Sequence, residues 1–151
     1  MEDIRIISQK IINRLPYLPD FLFVDEISSI STDNITGHYT FTKNAFFYKS
    51  HFKHIPVTPG VVLIEMMGQT GLVALLMYIE GLHENNLKFH PILQNIECSF
   101  LKPVNINDRL TVVSEKEYYR NGILKSHMSL MNSNKELSAI LIGQIKMIVD
   151  Y

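Results

Sequence analysis

A histidine and a glutamate suited to proton transfer lie on either side of a proline-glycine pair. His51 precedes Pro59-Gly60, and Glu65 follows the pair inside an apolar run of Val, Leu, Ile and Met. Imidazole exchanges its proton near neutral pH, so His51 is a candidate general base. Desolvation by apolar neighbours favours a protonated carboxyl group, which makes Glu65 a candidate acid. Taken alone, Glu65 could instead lie at the solvent edge of a helix.

Backbone groups beside these side chains could bind a carbonyl oxygen. Proline favours the first turn of a helix, and the first N–H groups of a helix have no partner within it. The amides of Gly60 or Val61 are therefore predicted to hold such an oxygen, aided by the helix dipole. Gln69 follows Glu65 by one helical turn on the same face, so it is predicted to orient that side chain by a hydrogen bond.

The composition excludes several other kinds of site. Cys98 is the only cysteine, which rules out an intrachain disulfide framework and a multi-cysteine zinc site and favours a reducing, cytoplasmic setting. His51 and His54 have no convincing third ligand nearby, so no metal is predicted. Since 14 Lys and Arg nearly balance 15 Asp and Glu, no overall charge draws the chain to nucleic acid or an anionic membrane.

The elements that must position these residues predict an α+β domain covering residues 1–151. Ile4, Ile7, Ile11 and Ile12 indicate a first helix, capped by Asp3 and ended by Pro16. A long apolar helix covers Val61 to Ile79, and its polar residues and glycines argue against a membrane span. The predicted strands are Phe21 to Ser31, Ile35 to Thr42, Ile92 to Leu101, Arg109 to Tyr119, Ile123 to Met131 and Leu137 to Val149.

Turn-forming residues separate these strands. Thr32-Asp33-Asn34 predicts a hairpin, and three further turn signals predict that the last four strands form an antiparallel meander. A six-stranded sheet cannot bury one face alone, so it is expected to wrap around the apolar helix. The acidic N-terminus, with its interrupted apolar spacing, does not have the pattern of a signal peptide.

The stretch from residue 51 resembles the signature of the 3-hydroxyacyl-[acyl-carrier-protein] dehydratases, which have the hot-dog fold. The matching residues, at the family spacing, are His51, Phe52, Pro56, Pro59, Gly60, Glu65 and Gln69. The likeness extends to Phe21-Leu22-Phe23-Val24-Asp25 and to Lys102-Pro103-Val104. Glutamate at position 65, rather than aspartate, resembles the branch that dehydrates without isomerising its product.

Several positions depart from the family pattern. Ser50, Lys53 and Thr58 stand where the family usually has glycine, proline and methionine, and Ile55 replaces a histidine. The basic-aromatic-proline segment near the first strand is altered to Tyr17-Leu18-Pro19-Asp20. These departures concern the loop and the substrate's surroundings, and they leave His51 and Glu65 in place.

The resemblance implies a hot-dog sheet around the helix and dehydration of 3-hydroxyacyl thioesters on acyl carrier protein, without a cofactor. It implies His51 and Glu65 as the catalytic pair, and a homodimer in which the histidine of one subunit faces the glutamate of the other. An assembly of such dimers is a further possibility. Lys43, Lys49 and Lys53 are predicted to form a patch for an acidic carrier protein.

Two alternatives stay open on the sequence. The hot-dog fold also hosts thioesterases, in which Glu65 would activate water, and fold alone does not separate the two reactions. A non-catalytic acyl-binding or heterodimer partner subunit would accommodate the departures at Lys53 and Thr58.

Overall fold

The computed structural model describes residues 1–151, and it begins with a capped amphipathic helix. Helix α1 spans Ile4–Arg14, and the Asp3 side chain accepts a hydrogen bond from the Arg5 backbone N–H at 2.8 Å. Leu15 caps the other end, immediately before Pro16, whose missing N–H cannot continue the helix. The predicted first helix is confirmed, together with both of its boundaries.

A single antiparallel sheet of six strands forms the body of the fold. Its spatial order is β1-β2-β4-β5-β6-β3. The strands are β1 Glu26–Ile30, β2 Asn34–Thr40, β3 Lys88–Phe100, β4 Arg109–Arg120, β5 Ile123–Met131 and β6 Leu137–Asp150. The predicted hairpin of the first two strands is confirmed, with Ile30 opposite Ile35.

Three details of the predicted sheet are wrong. The first strand begins at Glu26 rather than Phe21, because Pro19–Phe21 forms a 3-10 turn and the Phe23 N–H bonds to a helix side chain. Strand β3 begins at Lys88, before Ile92, since its first residues already pair with the end of β6. The meander contains only β4, β5 and β6, because β3 crosses over to the far side of β6 and becomes an edge strand.

The apolar helix lies in the concave face of this sheet. Helix α2 spans Gly60–Gly68 and continues through a π-helical segment, Gln69–Ala74, into a last α-helical turn, Leu75–Ile79. By length and composition alone the run Gly60–Ile79 could cross a membrane, but 67% of its most apolar window is buried inside the fold. A helix that is apolar nearly all round belongs in a core, as this one does.

Close contact between helix and sheet depends on small residues. A Cβ atom at Gly71 would collide with the Met128 side chain of β5, so glycine permits the approach. Ser114 of β4 donates a hydrogen bond to the Gly71 carbonyl at 2.9 Å, which ties the π-helical segment to the sheet. The sheet wrapped around one long helix confirms the hot-dog arrangement that the sequence resemblance implies.

Candidate active site

The Gln69 side chain holds Glu65 and forms three hydrogen bonds in all. The Gln69 Nε2 group donates to Glu65 Oε1 at 3.0 Å and to the Phe21 carbonyl at 2.8 Å. Gln69 Oε1 accepts from the Phe23 N–H at 2.8 Å, and the side chain is 1% exposed. Because both ends of the amide are used, its orientation is fixed. Glu65 Oε2 receives no bond from Gln69.

A cavity of about 370 Å³ opens beside this pair. Its polar lining comes from Glu65, Gln69, Tyr17 and His90. The other lining residues are all apolar or glycine: Pro16, Ile64, Gly68, Leu72, Val73, Pro91, Leu93, Ile96 and Ile145. Concave sites with apolar walls and few polar groups are typical of small-molecule binding. The half-buried Glu65 lies at this cavity, and neither predicted extreme, full burial or the solvent edge of the helix, describes it.

His51 lies in the loop before the helix, where its ring is held from one side. Its Nδ1 atom is 2.9 Å from the Val57 carbonyl oxygen. A carbonyl can only accept, so Nδ1 carries the proton in this bond, and in the neutral ring Nε2 has the free electron pair. The Val57 N–H donates to the His51 carbonyl at 2.8 Å, and the Phe52 ring stacks on the imidazole at 3.9 Å. The partly exposed ring therefore presents Nε2 as a possible base.

The first turn of α2 borders a second cavity, of about 350 Å³. Gly60 is the first residue of the helix after the extended Pro59, so its N–H and that of Val61 have no partner within the helix. The ring of Phe100 on β3 covers Gly60, and an added Cβ would lie 2.9 Å from its tip. Glycine thus lets Phe100 pack directly against the helix start.

One chain does not bring all the predicted site residues into one cavity. Glu65 and Gln69 share the first cavity, Gly60 lines the second, and His51 lines neither. Both cavities border strand β3, through His90, Pro91, Leu93 and Ile96 in the first and Phe100 in the second. The structure contains no group of three or more His, Cys, Asp or Glu side chains placed to hold a metal ion.

Sequence reasoning missed two features of this region. Tyr17 lines the Glu65 cavity and makes no side-chain hydrogen bond, and its burial, with the nearby charge of Glu65, raises the pKa of its phenol. Thr58 is buried and hydrogen-bonded beside the helix start. Both positions depart from the family pattern, and that departure was the only sequence signal that distinguished them.

Comparison with known proteins places most of the chain in one family. A family model described as a FabA-like domain matches residues 15–138. A protein of Polynucleobacter asymbioticus named 3-hydroxyacyl-[acyl-carrier-protein] dehydratase FabZ is 35% identical over 123 residues, which cover 81% of this chain and 80% of that protein. A protein of the same name from Bacillus licheniformis is 33% identical over 119 residues, covering 78% and 80%. The Paramagnetospirillum magneticum protein of that name is 32% identical, covering 77% and 71%.

Solved structures share the fold at low sequence identity. A thioesterase from Pseudomonas aeruginosa superposes with a TM-score of 0.68 at 11% identity and covers 99% of this chain and 96% of its own. The S. sahachiroi protein AziG has a TM-score of 0.66 at 14% identity, covering 88% and 97%. At these identities the likeness establishes the architecture and leaves the reaction to be argued from the site.

Proposed function

This chain belongs to the family of FabA-like domains, and from that premise we propose that it removes water from 3-hydroxyacyl thioesters carried on acyl carrier protein. Relatives of 32–35% identity over most of the chain carry the name of that activity. The observation that carries the proposal is the clamped Glu65 at an apolar cavity of about 370 Å³, which suits an acyl chain with one reacting polar end. The product is the trans-2-enoyl thioester, in fatty-acid or related polyene or polyketide biosynthesis.

The proposed dehydration needs one group to remove a proton from C2 and another to donate a proton to the leaving hydroxyl. His51 Nε2 takes a proton from C2 of the substrate, and the electrons of that C–H bond form the C2–C3 double bond. The C3–O bond breaks as Glu65 Oε2 gives its proton to the departing hydroxyl, which leaves as water. The atoms balance with an acid and a base alone, so the reaction needs no cofactor or metal. Reset of the site returns one proton from the imidazolium to the carboxylate through solvent.

Charge on the thioester oxygen needs donors. We assign this role to the amides of Gly60 and Val61, which start the helix and have no partner within it. They lie at the positive end of the helix dipole, which favours a developing oxyanion. Gln69 acts on the reaction through Glu65, as a positioning residue.

A second copy of the chain is proposed to complete the site. Strand β3 lies at the sheet edge with one side unpaired, and it carries the exposed apolar residues Ile92, Leu93 and Phe100, which is unusual for an edge strand of a monomer. Because β3 also borders both cavities, a partner on this edge would bring its own residues next to Glu65. The proposed homodimer therefore pairs the His51 of one subunit with the Glu65 of the other.

The carrier protein is proposed to dock beside the His51 loop. Lys43, Lys49 and Lys53 are exposed, and none of them forms a salt bridge in the structure. Unpaired lysines can attract an acidic partner without first losing an internal ion pair. The proposal places the enzyme in the cytoplasm, acting neither on nucleic acid nor at a membrane.

The function is tested with 3-hydroxybutyryl and crotonyl thioesters of the carrier protein. We expect the protein to interconvert the two thioesters. The loss or gain of enoyl absorbance and mass spectrometry both measure this interconversion. Release of free acid without interconversion would identify a thioesterase instead. A pure homodimer that does neither, and gains activity only with a second protein, would identify a partner subunit.

A further inference from the structure

Two buried hydroxyl groups, on Tyr48 and Thr58, form a hydrogen-bonded chain beside the start of α2. The side chains of Tyr48 and Thr58 are each 5% exposed, and their hydroxyl oxygens are 2.6 Å apart. Thr58 Oγ1 donates to the Val104 carbonyl at 2.9 Å. Since the single Thr58 hydroxyl proton is used there, the Tyr48 hydroxyl is the donor to Thr58. The chain runs from Tyr48 through Thr58 to Val104 and is fully satisfied.

In the chain, Thr58 lies between the residue that holds His51 and the first residues of α2. The residue before it, Val57, holds the His51 ring through its carbonyl and the His51 backbone through its N–H. The residues after it, Pro59 and Gly60, begin the helix whose first amides are the proposed oxyanion donors. A shift at residue 58 therefore moves both the base and the oxyanion donors.

The backbone of Thr58 itself forms no hydrogen bond to another backbone group. The next residue, Pro59, has no N–H to donate. The Thr58 side chain is consequently the hydrogen-bonding group that fixes this residue to the fold, with Val104 as its acceptor.

We propose that Thr58 and Tyr48 are positioning residues for the reaction, a role that rests on the proposed function. Their hydroxyl chain fixes the Val57 carbonyl, which in turn sets the proton of His51 on Nδ1 and leaves Nε2 as the base. A methionine, usual at this position in the dehydratase family, has no hydroxyl with which to make these bonds. In this chain the hydroxyl of Thr58 therefore anchors the residue by hydrogen bonds.

The kinetic test replaces the hydroxyl at nearly constant volume. Thr58→Val removes both bonds, and we expect kcat for the 3-hydroxybutyryl thioester to fall by about tenfold or more, with KM changed by less than about twofold. Thr58→Ser keeps the hydroxyl and should restore most of the lost kcat. Tyr48→Phe leaves the bond from Thr58 to Val104 intact, so its loss should be smaller.

The matched control variants each remove a hydrogen-bonded hydroxyl that is not part of the chain from Tyr48 to Val104. Ser8→Ala removes a buried hydroxyl that accepts from the Ile27 N–H at 2.9 Å, and Tyr119→Phe removes a phenol bonded to Glu80 at 2.6 Å. Both are expected to keep wild-type kcat even where thermal stability falls.

A spectroscopic measurement reads the positioning directly. Nitrogen NMR of the imidazoles, in alkaline solution where they are neutral, distinguishes a proton on Nδ1 from one on Nε2. The His51 signal is assigned, among six histidines, by its loss in His51→Ala. We expect Nδ1–H in the wild type, Thr58→Ser and Ser8→Ala, and a tautomer mixture in Thr58→Val.

Two results overturn the proposal: wild-type kcat and an unchanged His51 tautomer in Thr58→Val, or a loss that Thr58→Ser does not rescue. If Thr58→Val does not fold, Tyr48→Phe decides, because an unchanged kcat and tautomer in that variant would also overturn the proposed chain. A wild-type protein without dehydratase activity would reject the proposed function, while the tautomer comparison would still decide whether Thr58 sets the His51 ring.

Discussion

The Gln69 amide donates to Glu65 Oε1 at 3.0 Å while its other two hydrogen bonds tie it to the backbone of Phe21 and Phe23. The carboxyl group is thereby held from one helical turn away by a side chain that cannot rotate without breaking three bonds. This relationship links the central helix to the segment before β1 and leaves Glu65 Oε2 as the carboxyl oxygen that Gln69 does not bind.

Gln69→Leu should reduce both activity and stability. The change frees Glu65 and leaves the buried Phe23 N–H unpaired, which costs about 1–3 kcal/mol of unfolding free energy. We expect kcat to fall by about tenfold or more, because a misplaced acid loses alignment with the leaving group. Steady-state kinetics and denaturant unfolding measure the two effects. The neighbouring Thr70→Val, also buried, is the control and should retain kcat; equal kcat in Gln69→Leu and Thr70→Val would contradict a positioning role.

His51→Ala and Glu65→Gln should each lower turnover by at least about 10²-fold while leaving the fold and the proposed dimer intact, since each removes a proposed proton-transfer group. Circular dichroism and gel filtration verify the fold and the dimer. Near wild-type dehydration in either variant would show that its residue has been assigned the wrong role.

Mixing these two inactive variants tests whether sites are shared between subunits. Random exchange makes about half of the dimers mixed, and each mixed dimer has one intact site of two, so about a quarter of wild-type activity should return. Exchange is confirmed by mass spectrometry of differently tagged chains. Proven exchange without any recovery would locate each site within a single chain.

Gly60→Pro isolates one backbone donor. Proline is tolerated at the first residue of a helix, so the fold should survive, but the N–H is lost. We expect kcat to fall by about 10²-fold, as for removal of an oxyanion donor. Gly60→Ala is the steric control, because it adds the Cβ facing Phe100 and keeps the N–H. If the alanine variant is as impaired as the proline variant, packing against Phe100 rather than the amide explains the loss.

Gly68→Leu should change the preferred acyl-chain length. Gly68 lines the Glu65 cavity, and a Cβ there meets only Leu72, at 4.0 Å, so a larger side chain has room to enter the cavity. We expect kcat/KM to fall for long-chain thioesters and to stay near wild type for the four-carbon substrate. The smaller Gly68→Ala should stabilise the helix by up to about 1 kcal/mol. An equal loss of kcat/KM for every chain length would mean that this cavity does not receive the acyl chain.

Reversing the charge of Lys43, Lys49 and Lys53 to glutamate should weaken use of the carrier-protein substrate. We expect a higher KM for the acyl carrier protein, at low salt above all, and little change for the same acyl group on free pantetheine, because only the carrier bears the acidic surface.

The control for this prediction reverses three other exposed lysines, Lys88, Lys135 and Lys146, for the same change in net charge. A comparable rise in KM in that variant would show that overall charge, and not the patch beside the His51 loop, governs recognition.

Local patterns sufficed for the elements whose residues act on their near neighbours. Asp3 caps α1 through the next turn, and the turn from Ser31 to Asn34 joins β1 to β2, so both could be predicted from adjacent residues. The start of β1 could not, because the Phe23 N–H bonds to Gln69, far away in the chain. The edge position of β3 was likewise hidden, since strand order depends on a crossover that no local spacing encodes.

By itself, the sequence identified His51 and Glu65 as the side chains proposed to transfer protons, and it determined which helix holds Glu65 and Gln69 on one face. These depend on residue chemistry and helical periodicity, which are local. Only the tertiary structure decided that Gln69 is locked by the Phe21 to Phe23 segment, that Tyr17 shares the Glu65 cavity, and that Thr58 anchors the His51 loop to Val104. Each of these contacts joins residues distant in the chain, and such residues come close together only when the sheet closes around the helix.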